Sequence, residues 1–324
     1  MKNKQLNLKT AHIVVTGGHG FLGTWLVKHL TEKHGVPSAH ISIPDSHDQN
    51  LLEWANCVEA VRDADLIIHL AARVGGIGFN REFPGTLFYQ NLMVGAQLME
   101  AARLAKVSKF VAVGTVCAYP KFTPAPFSED DLWMGYPEET NAPYGLAKKM
   151  LLVQGQAYRQ EFGFNSIYLL PANLYGPGDK FDTAHSHVIP ALIRKVVEAK
   201  AAGEHTIHVW GTGKATREFL YVEDAAEGII LAAQQYNKPE PVNLGTGREV
   251  LIRDLVTQIC ELLDYPAKLD WQTDMPDGQP RRVLNTQRAK QEFGFEASTP
   301  FKEGLKRTID WYIQSLPQEI QAKL

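Results

Sequence analysis

Short apolar segments alternate with amphipathic segments along the first half of the chain. The apolar segments are rich in β-branched residues, which is typical of buried parallel strands, and they lie at residues 11–16, 41–43, 64–70, 110–114 and 166–170. Hydrophobic positions repeat with helical periodicity in other segments, at residues 21–30, 91–105 and 147–162. Alternating strands and helices predict an α/β fold with a Rossmann-type, doubly wound parallel sheet.

The pattern changes after Pro171, where glycine, proline and polar loops become frequent. Helical segments such as residues 188–199 are mixed with short strands, which predicts a smaller C-terminal α/β substrate lobe. We expect the chain to return to the main domain at about residues 222–245. The predicted dinucleotide-binding domain therefore comprises residues 1–172 plus about 218–247, and the substrate-binding lobe comprises residues 173–217 and 248–324.

A glycine-spaced turn, Gly17-x-x-Gly20-x-x-Gly23, follows the first predicted strand and opens the first predicted helix. Glycines permit a tight turn and let a pyrophosphate approach the backbone N–H groups at the helix N-terminus. The turn alone is also compatible with a glycine-rich connection that binds nothing, but the strand–turn–helix context favours a dinucleotide. The predicted cofactor contacts at this turn are Gly17, His19, Gly20, Phe21, Leu22 and Gly23.

The segment after the second predicted strand bears on the choice between NAD and NADP. A carboxylate at this place favours the free ribose diol of NAD, whereas an arginine favours the 2′-phosphate of NADP. Residues 43–48 contain Asp45, the predicted ribose contact, and no arginine. The residues themselves leave both cofactors open.

Tyr144 and Lys148 stand four residues apart in a segment with helical character, so they share one face of a helix. An ammonium near a phenol favours the phenolate, which brings a tyrosine of ordinary pKa, near ~10, closer to neutral pH. Such a pair is suited to moving a proton onto or off a carbonyl oxygen while a nicotinamide exchanges a hydride.

Thr115 and Cys117 follow the strand predicted at residues 110–114. If the extended conformation continues, their side chains point into one pocket at the carboxyl end of the sheet. Thr115 would then bind a substrate oxygen, and Cys117 would act as acid or base on carbon if its pKa were lowered; otherwise Cys117 is a small packing residue. His187 precedes an amphipathic helix, either as a polar helix-start residue or as a partner of Cys117 across the cleft.

Composition narrows the classes of function. A net charge of −3 over 324 residues gives no broad basic surface, so we predict no nucleic-acid partner. No apolar run approaches the ~20 residues that cross a bilayer, so we predict no membrane association. Three cysteines, at positions 57, 117 and 260, make no disulfide framework and indicate a reducing, cytoplasmic environment. The 11 histidines show no metal-ligand spacing, and we predict no metal.

Longer motifs extend these observations over nearly the whole chain. HLAA at residues 69–72 and NLYGP at 173–177 join the glycine turn and Tyr144-x-x-x-Lys148 as general signatures. More specific motifs are VGG at 74–76, GTVCAYP at 114–120, SHVIP at 186–190, VWGTGKATREF at 209–219 and PDGQPR at 276–281. Together they resemble the extended short-chain dehydrogenase/reductases that act on nucleotide sugars, and within them the branch that combines 3,5-epimerase and 4-reductase activities.

This resemblance implies conversion of GDP-4-keto-6-deoxy-D-mannose to GDP-L-fucose with NADP, NAD being the alternative cofactor. It assigns reduction at C4 to Tyr144, Lys148 and Thr115, and proton exchange at C3 and C5 to Cys117 and His187. Cofactor contacts beyond the glycine turn would be Leu70, Ala71, Ala72, Tyr144, Lys148, Pro171, Asn173 and Leu174. The GDP-sugar would be held by Asn173, His187, Val188, Lys195, Trp210, Arg217, Asp277 and Arg281.

The resemblance also implies a homodimer that pairs the helices at residues 91–105 and 147–162. Two other functions stay open at this point. One is a related nucleotide-sugar 3,5-epimerase, similar to GDP-mannose 3,5-epimerase, which inverts stereocentres without net reduction. The other is a redox-sensing or scaffold protein that keeps the fold without turnover, which the complete set of site residues disfavours.

Overall fold

The computed structural model describes residues 6–75, 77–182, 186–275 and 279–324. Its strands are β1 Ile13–Thr16, β2 Ile41–Ser42, β3 Leu66–His69, β4 Lys109–Val113, β5 Ser166–Pro171, β6 Asn173–Tyr175, β7 Thr206–Trp210, β8 Thr216–Arg217, β9 Phe219–Tyr221, β10 Val242–Leu244, β11 Val250–Leu251 and β12 Lys268–Gln272. Its helices are α1 Phe21–Glu32, α2 Trp54–Ala60, α3 Ile77–Glu82, α4 Pro84–Leu104, α5 Ala142–Phe162, α6 Val188–Ala202, α7 Val222–Gln235, α8 Ile252–Leu262, α9 Gln287–Phe293, α10 Phe301–Ser315 and α11 Gln318–Gln321. No helix in these ranges has the length and apolar character that a membrane span requires.

Six strands form one parallel sheet in the order β10-β5-β4-β3-β1-β2. Every residue of β1, β3, β4 and β5 is buried, and apolar residues such as Val14, Ile67 and Val111 fill them, as expected for strands covered on both faces. The chain passes from β1 to β2 on one side and then to β3 on the other, so the strand order switches at β1. Ligands bind at such switch points in open α/β sheets. The predicted Rossmann-type α/β fold is confirmed.

The helices beside this sheet pack in two groups. α1 packs on α7, whereas α4 packs on both α2 and α5. α7 and β10 bring the chain back from the C-terminal half, and β10 pairs with β5 at the edge of the sheet. The glycine turn before α1 and the end of β3 thereby lie next to each other at the switch point.

A second apolar core lies outside the main sheet. Helices α6, α8 and α10 pack there around short strands that pair in twos, β6 with β9 and β7 with β12. Ile193, Ile207, Ile259 and Ile309 are buried in this core. The chain enters it directly after β5, since β6 begins at Asn173, two residues after β5 ends.

Two helices begin earlier than their periodicity predicts. α4 begins at Pro84 rather than at residue 91, and α5 begins at Ala142 rather than at residue 147. Each carries proline in its first two positions, where the fixed φ suits a helix and the missing N–H needs no partner. Because α5 begins at Ala142, both Tyr144 and Lys148 lie within it.

Candidate active site

The glycine turn is shaped for close backbone contact. Gly17 has a φ of +71°, and a Cβ there would lie 2.9 Å from the backbone N of Ala71. A Cβ on Gly23 would collide with the carbonyl O of Gly17. Side chains are therefore excluded at these two positions, so that β1, α1 and the end of β3 can pack tightly.

The first turn of α1 has the features of an anion site. Gly20 occupies the N-cap without a side-chain hydrogen bond to the helix, and no acidic residue lies in the first turn. The backbone N–H groups of Phe21 and Leu22, at the start of the helix, therefore remain available to a phosphate, which the helix dipole also favours. His19, exposed beside the turn, adds an imidazole to this edge. These features fit the pyrophosphate of a dinucleotide.

Thr115 and Cys117 meet through a turn, not through an extended strand. The expectation that extended geometry continues is wrong, because residues Val116–Ala118 form a single 3₁₀ turn capped by Thr115. The backbone N–H of Cys117 donates to Thr115 Oγ1 over 3.2 Å. Gly145 of α5 lies against this turn, and a Cβ there would lie 2.5 Å from the carbonyl O of Cys117. Only glycine at position 145 lets α5 approach so closely.

Tyr144 lies with Thr115 and Cys117 at this contact. Desolvation, followed by the charge of Cys117, raises the pKa of Tyr144, while a hydrogen bond with Thr115 acts in the opposite direction. The expected shift toward the phenolate is therefore wrong, because burial is the largest effect on this phenol. Tyr144 is a protonated phenol at neutral pH, which makes it a proton donor.

Lys148 lies one helical turn further along α5. Its side chain is 1% exposed, and burial lowers its pKa to about 8. Within the described part of the chain, its Nζ has no hydrogen-bond partner. A buried ammonium that lacks an acceptor is costly, so the site fits a ligand whose hydroxyl groups accept from Lys148, as the nicotinamide ribose of a dinucleotide would.

His69, at the end of β3, forms the inner wall of the same region. Its Nδ1 lies 2.8 Å from Thr16 Oγ1, and Thr16 Oγ1 also accepts from the backbone N–H of Ala71. Desolvation and then the charge of Lys148 hold the pKa of His69 well below its ordinary value. His69 is therefore a neutral imidazole, and the sequence reading assigned it no role.

His187 lies at the N-cap of α6, one of the helices around the second apolar core. The residue keeps contact with solvent, but neighbouring protein atoms partly desolvate it, and this desolvation and then the charge of Lys180 lower its pKa. A neutral imidazole at neutral pH follows from this shift. Among the hydrogen bonds of the described residues, none joins His187 to Cys117, so their pairing across the site stays a prediction.

The other predicted cofactor contacts surround the switch point. Asp45 Oδ1 accepts from the backbone N–H of His47 over 2.8 Å, so this carboxylate is bound by its own turn. The N–H groups of Leu70 and Ala71 donate to Thr16, which fixes the segment that continues into Ala72. The remaining contacts lie at the end of β5 and the start of β6, at Pro171, Asn173 and Leu174.

The described sugar-nucleotide contacts that the sequence predicts lie on or beside β6, α6, β7 and β8 and in the segment before α9. Several are held by backbone carbonyls: Asn173 Nδ2 donates to Glu218 O, Lys195 Nζ to His208 O, and Arg217 Nη1 to Thr216 O and Gln279 O. Trp210 is 65% exposed, and Val188 begins α6 half-buried. Arg281 pairs with Glu249. Asp277 lies outside the described residues.

The sequence did not predict a role for Arg282, a positively charged residue that lies near the candidate base Cys117. Arg282 Nη1 lies 3.9 Å from Cys117 Sγ. The signal in the sequence was the adjacent pair Arg281-Arg282, but nothing in the spacing says which of the two turns toward position 117.

Comparison with known proteins identifies the family. Residues 13–245 match the NAD dependent epimerase/dehydratase family. The chain belongs to that family. It is 38% identical over 312 residues to the probable GDP-L-fucose synthase 1 of Oryza sativa subsp. japonica, which covers 95% of this chain and 94% of the relative. It is 32% identical over 318 residues to the GDP-L-fucose synthase of Escherichia coli (strain K12), covering 94% and 97% respectively.

A solved structure supports the same grouping within the epimerase/dehydratase family. A GDP-L-fucose synthetase from Naegleria fowleri, bound to NADP, superimposes with a TM-score of 0.85 at 26% identity, covering 94% of this chain and 93% of that chain. The resemblance that the motifs indicated is therefore confirmed over nearly the full length of the chain.

Proposed function

We propose that this protein converts GDP-4-keto-6-deoxy-D-mannose to GDP-L-fucose, as a 3,5-epimerase and an NADPH-dependent 4-reductase. The observation that carries this proposal is the contact of Thr115, Cys117 and Tyr144 at the carboxyl end of β4, one turn from the buried Lys148. A thiol that can take protons from carbon and a phenol that can give one to oxygen share one pocket. Relatives named GDP-L-fucose synthase over 94–95% of the chain support the choice of sugar and nucleotide.

Reduction at C4 requires a proton donor at the carbonyl oxygen. Bound NADPH supplies the hydride. Tyr144, which burial keeps protonated, donates its proton to the C4 oxygen, and the Thr115 hydroxyl binds the same oxygen. Donors aimed at a developing oxyanion are worth roughly 3–4 kcal/mol each in well-studied sites. Lys148, whose buried Nζ lacks a partner among the described residues, would hold the nicotinamide ribose one helical turn from the Tyr144 phenol.

Epimerisation at C3 and C5 uses the same carbonyl. The ketone makes the protons on both neighbouring carbons removable, because the carbanion delocalises onto the C4 oxygen as an enolate. Cys117 takes the proton from one face of the ring. For His187 to return a proton from the opposite face and invert the centre, its imidazole must first take up a proton from solvent, because the lowered pKa leaves it neutral at rest. Both inversions precede reduction, since reduction removes the carbonyl that acidifies these protons.

NADP is the cofactor that we assign. The solved Naegleria fowleri relative carries NADP, and Asp45, the carboxylate expected to repel a 2′-phosphate, is bound by the His47 amide. His19 and His47 lie exposed where they can approach a phosphate. We also propose a cytoplasmic homodimer that pairs α4 and α5, whose outer faces expose Leu104 and Val153.

The test is incubation of the purified protein with GDP-4-keto-6-deoxy-D-mannose and either NADPH or NADH. We expect stoichiometric consumption of NADPH, with NADH less efficient, and a product with the stereochemistry of GDP-L-fucose by NMR. An inverted product without consumption of either nucleotide would favour the related epimerase without net reduction. No product with either nucleotide would refute the proposal.

A further inference from the structure

The proposed function needs Cys117 as a base, and a neutral thiol is a poor one because the thiolate is the form that accepts a proton. We propose that Arg282 is a positioning residue that holds Cys117 in the thiolate form. This inference rests on the proposed function for its catalytic meaning, but the charge state of the sulfur can be measured without any substrate.

The guanidinium of Arg282 is oriented before any substrate arrives. Its Nε and Nη2 donate to Gln279 Oε1 over 3.2 and 3.0 Å, and Gln279 Nε2 donates to the carbonyl O of Lys121. These bonds fix two nitrogens of the planar group and leave Nη1 directed at Cys117 Sγ, 3.9 Å away. Because the guanidinium group is planar and rigid, the anchored Nε and Nη2 also set the position of Nη1.

The backbone that carries Arg282 is equally fixed. The carbonyl O of Arg282 accepts from the N–H of Glu218, and the buried carboxylate of Glu218 accepts from the N–H of Leu284 over 2.6 Å. The neighbouring Arg281 turns outward and pairs with Glu249. Of this basic pair, therefore, only Arg282 acts on the thiol.

The groups around Cys117 favour one distribution of charge. Arg282 faces the sulfur from the C-terminal segment, Tyr144 from α5, and Thr115 from the end of β4. A thiolate next to Arg282 is stabilised by the opposite charge, and its negative charge adds to the burial that keeps the Tyr144 phenol protonated. Arg282 thus favours Cys117 as the base, while Tyr144 remains the acid.

The arrangement of cysteines makes the thiolate measurable in the native protein. Cys57 and Cys260 are buried, and burial raises the pKa of each to about 11, whereas Cys117 is partly exposed. Iodoacetamide applied to the folded protein between pH 6 and pH 9 therefore reports on Cys117, and mass spectrometry of the peptide confirms the position. The rate of alkylation follows the thiolate fraction.

The variants are Arg282→Gln and Arg282→Met, which remove the charge, and Arg282→Lys, which keeps it. Arg62→Gln, at an exposed pair with Glu59, is the matched control. In both charge-removing variants, we expect alkylation at pH 7 to fall about tenfold and the pH profile to move up by about one unit. Arg282→Lys should recover most of the rate, and Arg62→Gln should match the wild type.

An alkylation profile unchanged from the wild type, in whichever of Arg282→Gln and Arg282→Met folds, would overturn this proposal. The same variants should lose solvent deuterium exchange at C3 and C5 of the keto-sugar by at least the same factor. If alkylation shifts as expected while the wild type exchanges no deuterium, the proposed function fails and the effect of Arg282 on the sulfur stands.

Discussion

At the scale of single residues, Asp179 combines burial with an unsatisfied oxygen. Its Oδ1 accepts from the backbone N–H of Lys180, but Oδ2 is buried without a partner among the described residues. Desolvation raises the pKa of Asp179 to about 7, with the hydrogen bond and charge of Lys180 acting in the opposite direction. The residue lies between β6 and the His187 segment, on a loop whose Pro177 accepts from Trp25 of α1.

The substitution Asp179→Asn should make the protein more stable than the wild type at pH 8 but not at pH 5. The folded pKa lies above the unfolded one, so the folded state binds more protons between about pH 4 and pH 7, and stability falls as pH rises through that range. The cost of the buried carboxylate at pH 8 is on the order of 4 kcal/mol. The difference in Tm between variant and wild type at the two pH values measures it.

The control for this prediction is Asp48→Asn, at an exposed position. It should change Tm little at either pH. If the Tm difference between Asp179→Asn and the wild type is the same at pH 5 and pH 8, the pKa of Asp179 is not raised in the folded state.

The residues differ in how far sequence could predict them. The spacing of Tyr144 and Lys148 gives their common helix face, because that depends on local geometry alone. The raised pKa of Tyr144 depends on desolvation and on Cys117, and the lone buried amine of Lys148 depends on the surrounding fold. Arg282 meets Cys117 from 165 residues away, and no local pattern encodes such a contact.

At the scale of elements, the approach of α5 to the 3₁₀ turn at Val116–Ala118 positions the site. Substitution Gly145→Ala should lower both epimerisation and reduction by about 10- to 100-fold, because the new Cβ must push the Cys117 carbonyl away. Steady-state kinetics and deuterium exchange measure the two activities separately.

The matched control is Gly85→Ala in α4, another helical glycine, whose Cβ position has nothing within 4 Å. It should keep wild-type activity and be neutral or slightly stabilising, since alanine favours helix. Retention of full activity in Gly145→Ala would show that the turn and α5 do not need this close contact.

The hydrophobic pattern predicted most of the strands and helices. The apolar segments that form β1, β3, β4 and β5 are covered on both faces, and strands covered on both faces have a continuous apolar, β-branched composition that few other segments share. The turn after β4 was not readable, because its residues 116–119 are apolar and look like a continued strand. The turn is capped by a hydrogen bond from the backbone N–H of Cys117 to Thr115 Oγ1, which the amino-acid sequence alone does not predict.

At the scale of the whole molecule, Glu218 ties the two cores together. Its buried carboxylate accepts from the backbone N–H groups of Thr246, Gly247 and Leu284, and it lies next to Arg217 in the second lobe. The backbone segments after β10 and before α9 are thereby fixed relative to β9. This network connects the cofactor-binding sheet to the proposed sugar-nucleotide contacts.

Substitution Glu218→Gln should lower the free energy of unfolding by about 3 kcal/mol. One acceptor oxygen becomes an NH₂ group that faces backbone donors, which leaves buried N–H groups without partners. Urea denaturation measures the loss. Glu303→Gln, at a half-exposed surface pair with Arg307, is the control and should stay within about 0.5 kcal/mol of the wild type. Equal stability of both variants would contradict the role of Glu218.

The fold class at this scale followed from the order of strands and helices, since a βα alternation admits few topologies. The division of the C-terminal half was harder to predict. Its described strands outside the six-stranded sheet are two to five residues long and pair only in twos, so their apolar positions give little periodicity. The residues alone could not predict the homodimer, because packing within one chain explains the apolar faces of α4 and α5 equally well.

The central claim is that one pocket performs two proton chemistries with different residues. The most direct test is the reaction of GDP-4-keto-6-deoxy-D-mannose in D₂O with the wild type, Cys117→Ser and Tyr144→Phe, followed by NMR at C3 and C5. We predict deuterium at both carbons with the wild type, none with Cys117→Ser, and retained exchange with strongly reduced NADPH consumption for Tyr144→Phe. Undiminished exchange in Cys117→Ser, or equal loss of both activities in Tyr144→Phe, would contradict the account.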